Sequence, residues 1–309
     1  MAFLGLTLLL ATSSVNAAVT SEQSDGQITL LNKGEPVLTY HMDTAVPPDG
    51  VEKHYKRSGF IHPLYSPNGK ILTDDFPIGH VHQHAVFSAW TRATFKHEVV
   101  DFWNQHAQLG TANHVELESV EEDSFSAKIQ QVSLKNGPAI DEKWNVSVSP
   151  SPSPFIIDIK IEQKCATNDE IYFHPYHYGG FGFRGSAHWS SEDKERYEGS
   201  MHVLTSEGIV DVESSNHTRP NWIAVYGKIH GKHAGFVVMN HPSNFRSPQP
   251  IRVHPRMPYF VFTPPVSGSF ILKPGFTYSA QYRIATFDGT PDEKKIEKWY
   301  RDYTGKSTD

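Results

Sequence analysis

Cysteine is all but missing from this chain. Cys165 is its only thiol, so no intramolecular disulfide can form and a cysteine-based zinc site is excluded. Basic residues are not in excess either. Lys and Arg number 28 against 34 Asp and Glu, a net charge of -6, which leaves no cationic footprint for nucleic acid. Beyond the N-terminus, no stretch approaches the ~20 apolar residues that a membrane-spanning helix requires. Several catalytic signatures are also missing: no G-x-S-x-G elbow, no P-loop, no dinucleotide fingerprint behind a strand and no H-E-x-x-H. "GGFGFRG" at 179–185 is glycine-rich but stands in the wrong context for a nucleotide.

What is present is ordinary globular material with one excess. The 309 residues are 38% hydrophobic and 20% charged, which argues against wholesale disorder and suits one large β domain or two smaller ones. The excess is histidine, 18 in all. Histidine titrates near neutral pH and is the commonest metal ligand, so its clusters are the places to look for chemistry.

The N-terminus carries an apolar run from Phe3 to Ala11, then small polar residues and Val15-Asn16-Ala17. This pattern predicts a signal peptide over residues 1–17. No basic residue precedes the run, which points to a start codon further upstream. Export of a chain without disulfides fits a bacterial periplasm or a secreted protein.

Period-two alternation dominates the remainder. "GQITLLNKGEPVLTYHM" (26–42) reads as a hairpin around Asn32-Lys33-Gly34. "SFSAKIQQVSL", "DEKWNVSVSP", "FIIDIKIEQK", "NWIAVYGKI", "HAGFVVMNH" and "GFTYSAQYRIATFDG" each alternate apolar and polar residues, the pattern of half-buried strands. One helix is expected over 290–306, with Thr290 as N-cap, Pro291 first and Gly305 ending it. Ile296, Trp299 and Tyr303 would form its apolar face. The expectation is an all-β, antiparallel domain over 18–289 followed by a C-terminal helix and tail over 290–309.

Four stretches carry candidate chemistry. The first, "GHVHQHAVFSAW" (79–90), places His80, His82 and His84 at alternate positions. On a strand they would share a face, with His80 and His84 about 13 Å apart. Metal–nitrogen bonds are about 2.1 Å, so at most two neighbours share an ion, His80 and His82 being the expected pair for one divalent metal. The other readings are a proton-transfer or substrate-binding groove, and a structural polar cleft. Asp74 and Asp75 just before the motif would orient an imidazole or form a turn.

The second stretch is "DFWNQ" (101–105). Trp103 and Asn104 suit a sugar-stacking platform there, or a core tryptophan beside a turn. The third, "YFHPYHYGGFGFRG" (172–185), combines aromatics and glycines with His174, His177 and Arg184. These would make a proton-donating, ring-stacking wall that the backbone can approach closely. The fourth, "NHPSNFRSPQPIRVHPRMPYFVFTPP" (240–265), is proline-rich and offers His241, Asn244, Arg246, Arg252 and His254. Arginines in a rigid loop clamp anionic groups; the alternative is a solvated loop.

The pieces "FIHPLYSPNGKILTDDFP", "GHVHQHAVFSAW", "DFWN", "GGFGFR" and "NHPSNFRSPQP", spread over about residues 60–265, together resemble a bacterial family named methane oxygenase PmoA. Its members are mostly secreted domains of unknown function. The family's usual Asp before the first histidine is Gly79 here. Methane oxidation belongs to an integral membrane subunit, and the lack of spanning segments argues against it.

Separately, "GSFILKPGFTYSAQYRIATFDG" and "FHPYHYGG" are similar to the closing strands and the histidine-bearing strand of galactose mutarotase-like supersandwich proteins. That resemblance implies a large antiparallel β-supersandwich, with His174 as a general acid. The family's late glutamate base has no counterpart. Between Ser214 and Pro291 there is no glutamate, and Asp288 is the only aspartate. A base must then come from a histidine, a tyrosine, a metal-bound water, or an acid such as Glu98 or Asp101.

Three functions are therefore expected to compete. One is an exported carbohydrate-active enzyme of lyase, hydrolase or epimerase type using histidine acid–base chemistry, with or without a divalent metal. The second is a non-catalytic glycan-binding protein. The third is a metal-binding protein.

Overall fold

The computed structural model describes residues 19–305; the expected signal peptide lies outside them. Alternation becomes sheet as expected, and every strand pairing is antiparallel. One eight-stranded sheet runs in the order Val19–Ser24, Gln27–Asn32, Glu35–His41, Phe60–Leu64, Val86–Ala89, Gly180–Arg184, Tyr259–Phe262, Ile251–Val253. A second runs His202–Thr205, Trp222–Ile229, Lys232–Asn240, Tyr278–Asp288, Phe155–Cys165, Gly137–Ser149, Ser124–Ser133, Gly110–Val120. A smaller four-stranded sheet joins Phe270–Leu272, Ile171–Phe173, Ala93–Phe95 and Glu98–Val100. The architecture is the large antiparallel β-sandwich that the alternation and the supersandwich resemblance predict.

The two large sheets bury one face each against the other. In Phe155–Cys165, the inward residues Phe155, Ile157, Ile159 and Ile161 alternate with less buried ones, and they meet Leu30, Val37, Phe181 and Phe183 of the opposing sheet. A separate aromatic cluster under the small sheet holds Trp90, Phe95, Trp103, Phe173 and Tyr259.

One inward position breaks the apolar rule. Glu142 is fully buried and accepts hydrogen bonds from Trp144 Nε1, Gln131 Nε2, Gln163 Nε2 and Ser88 Oγ. Burial raises its pKa, while those donors and the nearby Arg57 guanidinium favour the charged form. Arg57, itself buried, donates to the carbonyls of Phe102 and Ser88. A buried ionic group of this kind survives only when its lone pairs are met, and here they are.

The C-terminal helix forms at Glu293–Thr304. Its N-cap is Asp292, whose side chain accepts from Lys295 N, not Thr290. Gly305 ends it at φ +67°, the left-handed cap that glycine adopts without strain. Ile296 and Tyr300 are the buried face, with Trp299 and Tyr303 packed at its sides against the outer surface of the second sheet. Among the described residues, no helix is long and apolar enough to cross a membrane.

Candidate functional site

The histidine motif does not sit on a strand. The strand begins only at Val86. Ahead of it the chain makes consecutive turns, with His80 N donating to Pro77 O and Gln83 N to His80 O. Phe76, Gly79 and Ala85 all adopt positive φ. The three histidines therefore leave the common face that a straight strand would impose, and each has its own surroundings.

His84 is completely buried. Its Nδ1 contacts Asp75 Oδ1 at 2.7 Å and its Nε2 faces Gln105 Oε1 at 3.4 Å. The Gln105 amide nitrogen is committed to the carbonyls of His54 and Lys56, so its oxygen is the end left for His84. Set between Asp75 and Gln105, His84 is a fixed strut beside the site.

His82 is 7% exposed. Its ring lies 4.5 Å from that of His106, edge to face, and its Nδ1 has no hydrogen-bond partner among the described residues. His80 is 5.8 Å from His82 and 6.1 Å from His254, ring to ring. Its Nδ1 faces Glu192 Oε2 at 3.5 Å. Gly79 sits at φ +81°, a left-handed conformation that favours glycine, and Glu192 lies beside it. A Cβ on residue 79 would lie 2.2 Å from Glu192 Oε2, so the carboxylate of Glu192 fills the space that a side chain at that position would enter.

Arg184 is the hub of this cluster. It ends the strand Gly180–Arg184 and is buried. Nη1 donates to Gln83 Oε1 at 3.0 Å and Nη2 to Ser190 Oγ at 3.2 Å, while Nε finds no partner among the described residues. Its charge acts on His80, His82, His254 and Asp74 alike. Buried polar atoms left unmet on His82 Nδ1 and Arg184 Nε, among the described residues, are the kind that solvent or a ligand satisfies.

The other wall comes from 252–259. His254 Nδ1 accepts from the amides of Arg256 and Met257, both at 3.2 Å, so in the neutral ring Nε2 carries the proton. Arg252 donates to Asn216 Oδ1 and Val253 O, and its guanidinium lies 5.5 Å over the Tyr178 ring. The exposed His177 stacks beside Tyr178 at 4.6 Å. Ring contacts and the Arg252 charge thus link His82, His80, His254, Arg252, Tyr178 and His177 into one histidine-rich cluster, the candidate cleft.

Its electrostatics separate the imidazoles from one carboxyl. Burial, helped by neighbouring His106, His80, His84 and Arg184, lowers His82 to about 3. Burial, with Arg252, His80 and Arg184, lowers His254 to about 4. Desolvation likewise lowers His80 and His177. All four are neutral near pH 7. Asp74 moves the other way. It is 7% exposed, and burial raises its pKa to about 6 against the pull of Arg184 and Arg196. Arg196 Nη2 stands 4.0 Å from its Oδ1. A carboxyl titrating close to neutrality beside a buried guanidinium is the group here suited to moving a proton.

Several predicted residues lie elsewhere. Trp103 is 2% exposed, wedged edge-on between Phe87 and Tyr259 at 4.4 and 5.8 Å. It offers no face for a sugar. Asn104 bonds Asp101 through its amide, and Asp101 caps the same turn. Glu98 pairs with Lys135 at the surface. Neither acid reaches the cleft. His174 bonds Thr94 Oγ1 at 2.8 Å and meets Tyr172 edge-on; neither partner belongs to the histidine cluster.

Asn244 is a loop anchor, bonded to Asn240 Oδ1, Gln281 O and Gln281 N. His241 bonds Ser243 and packs on Tyr303. Arg246 is not an anion clamp: it donates to the carbonyls of Pro264, Gly268 and Ser269. A roomy cleft of about 500 Å³ beside Phe245, Phe270 and Phe276 shares no lining residue with the histidine cluster, and its walls are mainly apolar.

Sequence reasoning missed His106, Glu192, Asp193 and Arg196, and treated Asp74 only as a helper. His106 stands one residue past "DFWNQ", the one signal that pointed to it. As to metal, among the described residues no third His, Cys, Asp or Glu side chain joins His80 and His82 within reach of one ion. Among the described residues, the group of three ligating side chains within reach of one ion lies outside this cleft.

Residues 27–301 match the model of a family described as "Family of unknown function (DUF6807)"; that description carries no methane oxygenase. No curated protein matches. Among solved structures, heparan sulfate lyase HepC from Pedobacter heparinus is 11% identical at TM-score 0.39, over 90% of this chain and 36% of its own length. A galactose mutarotase related enzyme from Lactobacillus acidophilus is 10% identical at TM-score 0.40, over 89% of this chain and 99% of its own. The GH36 alpha-galactosidase AgaA from Geobacillus stearothermophilus is 8% identical at TM-score 0.37, over 88% and 41%. This chain thus spans well under half the length of the lyase and the galactosidase, and at such identities none lends it a mechanism.

Proposed function

We propose that this chain, which belongs to the family of unknown function DUF6807, is an exported carbohydrate-active enzyme whose acid–base chemistry runs through Asp74. One observation carries the reading. A buried carboxyl with its pKa raised to about 6 lies in the field of the buried Arg184, whose charge also acts on three imidazoles that burial holds below their usual pKa. The sugar rests on the sequence resemblance of 268–289 and 173–180 to galactose mutarotase-like proteins, and export on the apolar N-terminus.

The roles differ from the sequence expectation. His82 and His254, at about 3 and about 4, are too weakly basic to carry protons near neutral pH. They serve as neutral hydrogen-bonding partners for sugar hydroxyls, His254 through Nε2–H. Near pH 7 Asp74 is mostly ionised and accepts a proton from substrate; the adjacent guanidinium stabilises the negative charge that develops. Arg252 and Tyr178 orient the ligand.

The neutral imidazoles also support a second reading, glycan binding without turnover, because their strength is hydrogen bonding. One experiment separates the two. The full chain is incubated with neutral and uronate-containing oligosaccharides, and products are followed by mass spectrometry and by the ultraviolet absorbance of an unsaturated uronate. Asp74→Asn and His82→Ala, both folded by circular dichroism, should each lose about a hundredfold in turnover or more. Full turnover in both overturns the enzyme assignment. Ligand binding by the wild type with no product establishes the second reading.

A further inference from the structure

We propose that His188, Glu198 and His230 form a binding site for a divalent transition-metal ion, of zinc type, separate from the histidine cleft. Their ligand atoms all lie within 4.8 Å of one another. His188 Nδ1 is 2.8 Å from Glu198 Oε1, and His230 Nδ1 is 4.0 Å from the same oxygen. Bonds of about 2.1 Å in a tetrahedral site place neighbouring ligand atoms about 3.4 Å apart. The two separations bracket that value, so small side-chain movements admit an ion. The two imidazole rings stand 4.8 Å apart at 76°, able to direct their Nδ1 lone pairs at one point.

The surroundings prepare the ligands. Glu198 N donates to His188 O at 2.8 Å, joining the two by backbone. The amides of His230 and Gly231 donate to the two Glu198 oxygens, each at 2.7 Å. Those donors orient the carboxylate as outer-sphere partners do in metal sites. His230 and Gly231 both take positive φ, at 52° and 75°, in the tight turn between Trp222–Ile229 and Lys232–Asn240. This turn sets the His230 ring over the pair. Its side chain is 78% exposed, which gives the ion an entry path and leaves a fourth position for water. Binding would displace the proton shared by His188 and Glu198 into solvent, and an N₂O donor set of two imidazoles and a carboxylate suits zinc.

The site's place in the fold gives the ion a task. His188 and Glu198 close the two ends of one segment. Between them Ser190 holds Arg184, Glu192 faces His80, and Arg196 reaches both Asp193 and Asp74. An ion bridging both ends to the His230 turn would therefore fix one wall of the histidine cleft from outside it.

The test uses the untagged full chain, stripped with a chelator and dialysed, then titrated with Zn²⁺ by calorimetry and with Co²⁺ by visible absorption. The expected result is one ion per chain, with the intense visible bands of a four-coordinate cobalt site. His230→Asn, tolerated at an exposed left-handed position, and Glu198→Gln should each weaken Zn²⁺ binding at least about tenfold. Zn²⁺ should raise the melting temperature of the wild type and not that of His230→Asn. A His80→Gln/His82→Gln double variant should bind as the wild type does. Absence of stoichiometric binding overturns the proposal. So does binding that is unchanged in His230→Asn and Glu198→Gln, or that is lost in the His80/His82 variant.

Discussion

Asp74→Asn should make the protein more stable while disabling its cleft. Burial raises the Asp74 pKa from 3.8 to about 6. Between those values the folded chain holds a proton that the unfolded chain releases, so stability falls as pH rises through that window. By pH 7 the fall is complete and amounts to about 3 kcal/mol, taking about 1.4 kcal/mol for each pKa unit between the two values. Arg184 and Arg196 attract the carboxylate, yet the raised pKa means that desolvation outweighs them. Asparagine has the same shape and no charge to desolvate.

Urea unfolding of wild type and Asp74→Asn should therefore give nearly equal free energies at about pH 4. A gap favouring the variant should open to roughly 1–3 kcal/mol at about pH 7.5, or several degrees in Tm. Coupled to lost turnover, this is the stability–activity trade-off of a functional carboxyl. The reasoning is refuted if the variant is the less stable protein at pH 7.5, or if the gap does not change between the two pH values. Either outcome would mean that the ion pairs with Arg184 and Arg196 dominate, and that Asp74 is a structural anchor.

Trp103→Ala should cost about 3–5 kcal/mol in denaturant unfolding, because it empties the aromatic core; lost ligand affinity at unchanged stability would instead restore it as a stacking platform. Arg246→Met keeps the apolar stem over Phe245 and Phe270 but abandons three carbonyls, so Tm should fall by the equivalent of about 2–4 kcal/mol with ligand binding intact. A loss of binding without destabilisation would return Arg246 to the site.

The sheets were legible because burial on one face writes itself as alternation. Phe155–Cys165 and Tyr278–Asp288 follow the residues that alternation marked. The exceptions are physical. The same alternation misled at His80, His82 and His84, where positive φ at Phe76, Gly79 and Ala85 turns the chain before the strand begins. Nothing in a period-two pattern distinguishes a strand from such a series of turns when two of the three residues are not glycine. The helix N-cap slid from Thr290 to Asp292 because both are good caps and only the docking of Ile296 and Tyr300 selects the register. Arg246 and Asn244 read as ligand contacts, since polar groups dense in a proline-rich loop look alike whether they face water or their own backbone.

By itself the amino-acid order determined the class of fold, the C-terminal helix, the impossibility of a disulfide within this stretch of chain, and the histidine-rich stretch in which to look. Those properties depend on neighbours along the chain: side-chain period, capping residues and residue counts. The tertiary structure alone decided which histidines cluster, that Glu192 fills the space beside Gly79, that burial raises the Asp74 pKa while lowering those of His80, His82 and His254, and that His188, Glu198 and His230 converge. Each depends on desolvation and on distances between segments far apart in sequence, and neither quantity is local to the chain.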